Sequence, residues 1–191
     1  MTWNNIFKKF GMTYLYTNIF YILDWRKPKS SSVNEFLKEQ VLISMQLLQE
    51  EKLPSFAGTQ DDVMIKILEW VHDNFTYEKD SVRFKVAEKW QTVTETLDFK
   101  RGDCEDGAIL IYCLAWVNGV NPAQLKLVTG DVIGGGHCWV EYLSDEFFND
   151  DFWYPIDWCY YYTPNIFKYR KDITNHSKYK KKWWELSIVE L

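Results

Sequence analysis

Gly102-Asp103-Cys104-Glu105-Asp106-Gly107-Ala108, continuing through Ile109 to Asn118, is the stretch that decides the fold. From Ala108 to Val117 it carries no charged residue, so a helix here is apolar all round and has to be central and covered on every side. Acidic residues crowd its start, where the positive end of the helix dipole favours them. Gly119 stands where a helix C-terminus wants a residue free to turn left-handed. The spacing therefore predicts a buried helix over 104–118 with a thiol in its first turn.

The flanking sequence supplies the cover. Upstream, Thr92-x-x-Glu95 has the form of a capping box and implies a short helix ending before Gly102. Ser32-x-x-Glu35 repeats that form, and Val33, Phe36, Leu37, Val41, Ile43, Leu47 and Leu48 suit a helix to about residue 50. After the breaks at Pro54 and Gly58, a second helix starts behind Thr59, with Asp61 and Asp62 in its first turn. Its buried stripe is Val63, Ile67, Trp70, Val71 and Phe75. Downstream of Pro122 the pattern changes to strands at 124–132, 136–143 and 153–158, the first two joined by Gly134-Gly135-Gly136 as a hairpin. Helices first and strands afterwards predict an α+β fold, with the buried helix packed on an antiparallel sheet.

The chain has 191 residues and 22.9 kDa, room for one good core with appended segments. A hydrophobic content of 47% excludes long-range disorder. A net charge of −5 argues against a nucleic-acid binder. Charge is uneven, however: residues 167–182 hold seven basic residues and one acid. Three parts are expected: an aromatic amphipathic arm and linker at 1–32, a main domain at 33–166 and a basic aromatic C-terminal extension at 167–191. Such an extension is ordinarily a solvated face; it and the N-terminal arm are the segments through which a protein partner would bind. The apolar run 11–23 is too short to span a bilayer and has no small-residue cleavage site after it, which makes the cytoplasm the expected location. Cys104, Cys113, Cys138 and Cys159 show no C-x-x-C spacing and read as free thiols of a reducing compartment.

One constellation carries chemistry. A thiol at a helix N-terminus faces unpaired backbone N–H groups, which favour the thiolate and can hold an oxyanion. The neighbouring Asp103, Glu105 and Asp106 oppose ionisation, so a cationic partner is required. His137, opening the strand after the glycines, can supply it, and Asp157 in Tyr154-Pro155-Ile156-Asp157-Trp158 can orient the imidazole. Cys113 reads as core, and Cys138 and Cys159 as core or edge residues.

These residues resemble the transglutaminase-like superfamily, including its bacterial cysteine-proteinase branch. The matching stretches, in order, are Trp90-Gln91-Thr92 with Glu95-Thr96-Leu97, Gly102 to Ala108, Gly136-His137-Cys138-Trp139-Val140-Glu141 and Pro155-Ile156-Asp157-Trp158. The resemblance covers roughly 61–158, about half of the chain. It implies a papain-like core with Cys104, His137 and Asp157 as the catalytic triad, and Trp90 with Gln91 as oxyanion or substrate-binding residues. It also implies acyl transfer from a carboxamide of a protein or peptide, as a cysteine peptidase or amidase or as a transglutaminase. Hydrolysis is the expected outcome, because nothing in the sequence marks a site for an amine. No cofactor is expected, although the resemblance offers Asp103 and Asp106 for calcium. Cys138 stands where small residues such as alanine are common in the family, and the β-domains of animal transglutaminases are missing. The alternative reading is an inactive transglutaminase-like fold that serves as a protein-interaction module. The composition suits a phage or bacterial source.

Overall fold

A computed structural model describes residues 30–144, 152–160 and 177–191. At its centre runs α5 (Cys104–Val117), in which every residue from Glu105 to Ala115 is buried. Three helices cover one side of it: α1 (Ser30–Gln49), α2 (Gln60–Asn74) and α4 (Val93–Phe99). A short helix α3 (Asp80–Arg83) and a two-residue parallel pair, β1 (Thr76–Tyr77) with β2 (Arg101–Gly102), join them. The other side of α5 rests on a four-stranded antiparallel sheet. Its strands are β3 (Leu125–Val132), β4 (Gly135–Leu143), β5 (Trp153–Ile156) and β6 (Tyr179–Leu186), in the order β5-β4-β3-β6. The expected α+β architecture is the one observed.

The local signals act as their chemistry dictates. Thr59 caps α2: its Oγ1 accepts from the Asp62 N–H at 3.2 Å, and the Asp62 carboxylate accepts from the Thr59 N–H at 3.2 Å. Thr92 and Glu95 form the same reciprocal pair at the start of α4. The hairpin between β3 and β4 turns at Ile133-Gly134, with Gly134 and Gly135 both at positive φ, a conformation that suits glycine. Asp61 stands in the first turn of α2 as expected and is fully buried. It accepts hydrogen bonds from Tyr142 Oη and Ser144 Oγ, both at 2.7 Å, and ties α2 to the end of β4.

Three strand boundaries differ from the expected ones, β4 beginning one residue earlier, at Gly135. Gln124 belongs to a 3₁₀ turn at Pro122–Gln124, because Pro122 starts that turn and the Asn121 side chain caps it. The expected strand 153–158 ends at Ile156, where pairing with β4 stops at Val140↔Ile156. Asp157 therefore sits just beyond the sheet, and its Oδ1 accepts the Cys159 N–H at 3.0 Å to turn the chain back.

Part of the basic C-terminal segment is a strand of the sheet. β6 pairs with β3, with register shifts around Gly130 and Asp131. A β-carbon on Gly130 would run into the Lys181 carbonyl, so this close approach requires glycine. The irregular register breaks the two-residue alternation, which is why 179–186 did not read as a strand. Trp184 docks beside Trp90 with ring centroids 6.1 Å apart, and Trp183 Nε1 donates to Asp131 at 3.0 Å. Residues 1–29, the acidic residues 145–151 and the basic stretch 167–176 lie outside the described residues. Among the described residues no helix is long and apolar enough to cross a membrane.

The sheet buries side chains on both faces. Leu125, Leu127, Cys138, Val140 and Tyr142 join the helical core around α5. Val128, Val132, Trp139 and Tyr179 form a second cluster. The chemistry-bearing residues collect where the start of α5 meets the His137 end of β4.

Candidate active site

His137 occupies the third position of β4, opposite Gly130 of β3, and is 3% exposed. Its Nε2 lies 2.7 Å from Asp157 Oδ2. Asp157 is itself buried, and three donors converge on it: His137 Nε2, Tyr179 Oη at 2.7 Å and the Cys159 N–H. Burial alone would raise the Asp157 carboxyl, but the His137 and Tyr179 hydrogen bonds outweigh it and hold the group below the ordinary carboxylate range. The imidazole stacks over Trp139, centroids 6.1 Å apart with planes at 17°, and takes Tyr160 edge-on at 4.7 Å.

Cys104 is the first residue of α5, the helix that packs on β4, and is partly exposed. Its side-chain hydrogen bond goes to Glu105 Oε2 at 3.3 Å. Among the described residues no hydrogen bond links it to His137. Burial, and after it the fields of Asp103, Cys138 and Cys159, push the thiol well above its usual range. Tyr77 and Tyr160 are exposed; Tyr77 leans on Trp158 with ring centroids 5.9 Å apart, as Tyr160 does on His137.

Carboxylates surround this helix start. Asp80, Asp103, Glu105 and Asp106 are all buried, with one oxygen from each lying within 4.8 Å of the others. Asp106 Oδ2 accepts the Asp103 N–H at 3.1 Å and Oδ1 the Gln91 N–H at 2.8 Å. Asp103 Oδ1 and Glu105 Oε1 are buried with no hydrogen-bond donor. Desolvation and then the charge of Asp103 lift Asp80 to about 6 and Glu88 to about 7. Burial lifts Glu105 and Asp106 well above the ordinary range too.

Of the residues named from sequence, the structure joins His137 to Asp157 and sets Cys104 at the start of the helix packed on β4, while Trp90 and Gln91 have other partners. Trp90 is 3% exposed, packs edge-on to Phe36 and donates its indole N–H to Glu88 at 3.1 Å. The Gln91 amide donates to Asp106 and to the Arg101 carbonyl, bracing the first turn of α5. Sequence reasoning did not single out Asp80, Tyr160 or Tyr179. Asp80 is 23 residues from Asp103, and no local pattern joins them.

The profile of the family described as "Transglutaminase-like domain" matches residues 50–179. Among solved structures, LapG of Legionella pneumophila is 19% identical, over 61% of this chain and 71% of that one, with a TM-score of 0.42. Its calcium-bound form is 17% identical, over 76% and 83%, with a TM-score of 0.47. A structure titled as a TGase is 12% identical over 91% of this chain and 41% of its own, with a TM-score of 0.37. No curated protein matches the chain.

Proposed function

The chain belongs to the transglutaminase-like domain family, and on that premise we propose that it is a thiol-dependent acyl-transfer enzyme acting on a carboxamide of a protein or peptide. The observation that carries this reading is the buried His137–Asp157 pair at 2.7 Å, with His137 on the strand against which the helix opened by Cys104 packs.

With Nε2 engaged by Asp157, Nδ1 is the imidazole nitrogen left to exchange a proton with the thiol. The thiol turns from Glu105 toward that nitrogen, passes its proton to Nδ1, and Sγ bonds to the carbonyl carbon. The oxyanion that forms lies at the N-terminus of α5, where first-turn N–H groups have no partner within the helix. As the C–N bond breaks, the amine leaves with the proton from Nδ1, and a thioester remains on Cys104. Water, deprotonated by Nδ1, then adds to the thioester carbonyl, and the thiolate departs and recovers the proton. Hydrolysis is the proposed outcome, because amine transfer needs a site that holds an amine and excludes water, and none is marked among the described residues.

Calcium is part of the proposal. Asp80, Asp103, Glu105 and Asp106 form an all-oxygen set, and two of their buried oxygens face no donor; this suits a hard cation. A calcium ion held there would offset the negative field that keeps Cys104 protonated.

A second reading draws on the same field. A thiol bonded to a carboxylate and pushed upward fits an inactive fold that serves as an interaction module. The deciding experiment follows release of new amino termini from an unfolded test protein by wild type, Cys104→Ala and His137→Ala, with and without calcium. Turnover abolished in both folded variants supports the enzyme. Turnover indifferent to Cys104, or absent under every condition, leaves the module.

A further inference from the structure

We propose that Tyr179 is a positioning residue of this active site, fixing through its hydroxyl the carboxylate that orients His137. The inference rests on the acyl-transfer reading above and assigns a part in it to the last strand of the sheet.

Tyr179 opens β6, opposite Val132, and is 8% exposed. Its Oη lies 2.7 Å from Asp157 Oδ2, the same oxygen that His137 Nε2 reaches at 2.7 Å. Its ring leans on Trp139 with centroids 4.8 Å apart, and Trp139 stacks on His137. The tyrosine thus touches the imidazole's support on two sides.

Asp157 stands beyond the end of β5, where no ladder holds the backbone. Its carboxylate must be oriented by the donors that surround it. The Cys159 N–H holds Oδ1; Oδ2 would swing with the ring of His137 if the imidazole were its only partner. A phenolic hydroxyl is a neutral donor and pins that oxygen without competing for the role of cation. It also draws electron density from Oδ2, which sets how strongly the carboxylate attracts the Nε2 proton.

A tyrosine that merely anchors β6 would make the same ring contact without needing its hydroxyl, and the test separates the two. Tyr179→Phe keeps the ring on Trp139 and deletes the donor; 3-fluorotyrosine at 179 keeps the shape and strengthens it. Two readouts report on His137 directly: the downfield proton resonance of its Nε2–H and the acidic limb of the pH profile for Cys104 alkylation by iodoacetamide. The resonance is expected to move downfield in Tyr179→Phe and upfield with 3-fluorotyrosine, with the limb displaced in both. kcat should fall on the order of 10-fold in Tyr179→Phe with KM little changed. An unmoved resonance and limb in both proteins would overturn the proposal, whatever happens to thermal stability. Should wild type show no turnover at all, the acyl-transfer reading fails, but the resonance still decides whether Tyr179 governs the His137–Asp157 pair.

Discussion

Glu105 Oε2 accepts the Cys104 thiol proton at 3.3 Å, although consecutive residues on a helix point about 100° apart and do not ordinarily face each other. The carboxyl that follows Cys104 thereby favours the protonated thiol. Glu105→Gln replaces that carboxyl with an amide of the same shape and takes away the acid's ability to accept the thiol proton. In chelator at pH 7, iodoacetamide should label Cys104 several-fold faster in this variant, as mass spectrometry can follow. An unchanged rate would show that Glu105 does not restrain the thiol.

The buried acids make stability depend on pH in an unusual direction. Asp80 rises to about 6 and Glu88 to about 7, chiefly through burial. An acid whose pKa is raised on folding binds its proton more tightly folded than unfolded. Stability therefore increases as pH falls from about 7 towards the ordinary carboxylate range near 4. Asp157 has the opposite sign: held low, it contributes stability above the ordinary range that is lost as pH falls through its folded value. In chelator, Tm at pH 5.5 should exceed Tm at pH 8 by a few degrees. Asp80→Asn should flatten that difference; a Tm highest at pH 8 would contradict the account.

Calcium should act on the same four carboxylates. Added in excess at pH 7.5 it is expected to raise Tm above the value in chelator and to reduce the pH dependence, because the ion replaces the proton as counter-charge. Asp103→Asn should lose most of the shift. A Tm indifferent to calcium would remove the ion from the proposed function.

Gly107 tests how the helix start is fitted to Asp157. Replacing a helical glycine with alanine ordinarily stabilises by about 1 kcal/mol. Here the added methyl would strike the indole of Trp158, the residue after Asp157. Overpacking against a rigid ring costs about 1–3 kcal/mol, so the sign should reverse. Gly107→Ala is expected to lower Tm and to reduce turnover; a higher Tm would show that Trp158 moves freely.

Glu141 on β4 is fully buried and depends on Lys182 of β6, whose Nζ lies 2.6 Å from it. Trp139 Nε1 supplies a second donor at 3.1 Å. Lys182→Met strands most of a buried charge and should cost about 2 kcal/mol, a loss discounted for the partly exposed lysine. Adding Glu141→Gln should recover much of it. A chemical denaturation series on the two single variants and the double measures the coupling.

Where the sequence was legible, short-range chemistry explains why. The capping pairs Thr59–Asp62 and Thr92–Glu95 act within one helical turn, and the uncharged run 108–117 leaves a helix no choice but burial. The glycines at 134 and 135 mark a turn wherever they occur. β6 was hidden because its register shifts break the alternation that betrays a strand. Trp90 and Gln91 could be named from the sequence, but the direction of their donors depends on Glu88, Arg101 and Asp106 once folded.

The sequence by itself determined the central helix with Cys104 at its mouth, the hairpin that presents His137 and the order in which Asp157 follows. These depend on hydrophobic period, caps and glycine turns, all properties of neighbouring residues. Only the tertiary structure decided that Tyr179 shares Asp157 with His137, and that Asp80 joins Asp103 and Asp106 beside the thiol. It also decided that the thiol rests on Glu105. Each of these is set by side-chain direction and by which distant segments pack together, and neither is written in local spacing.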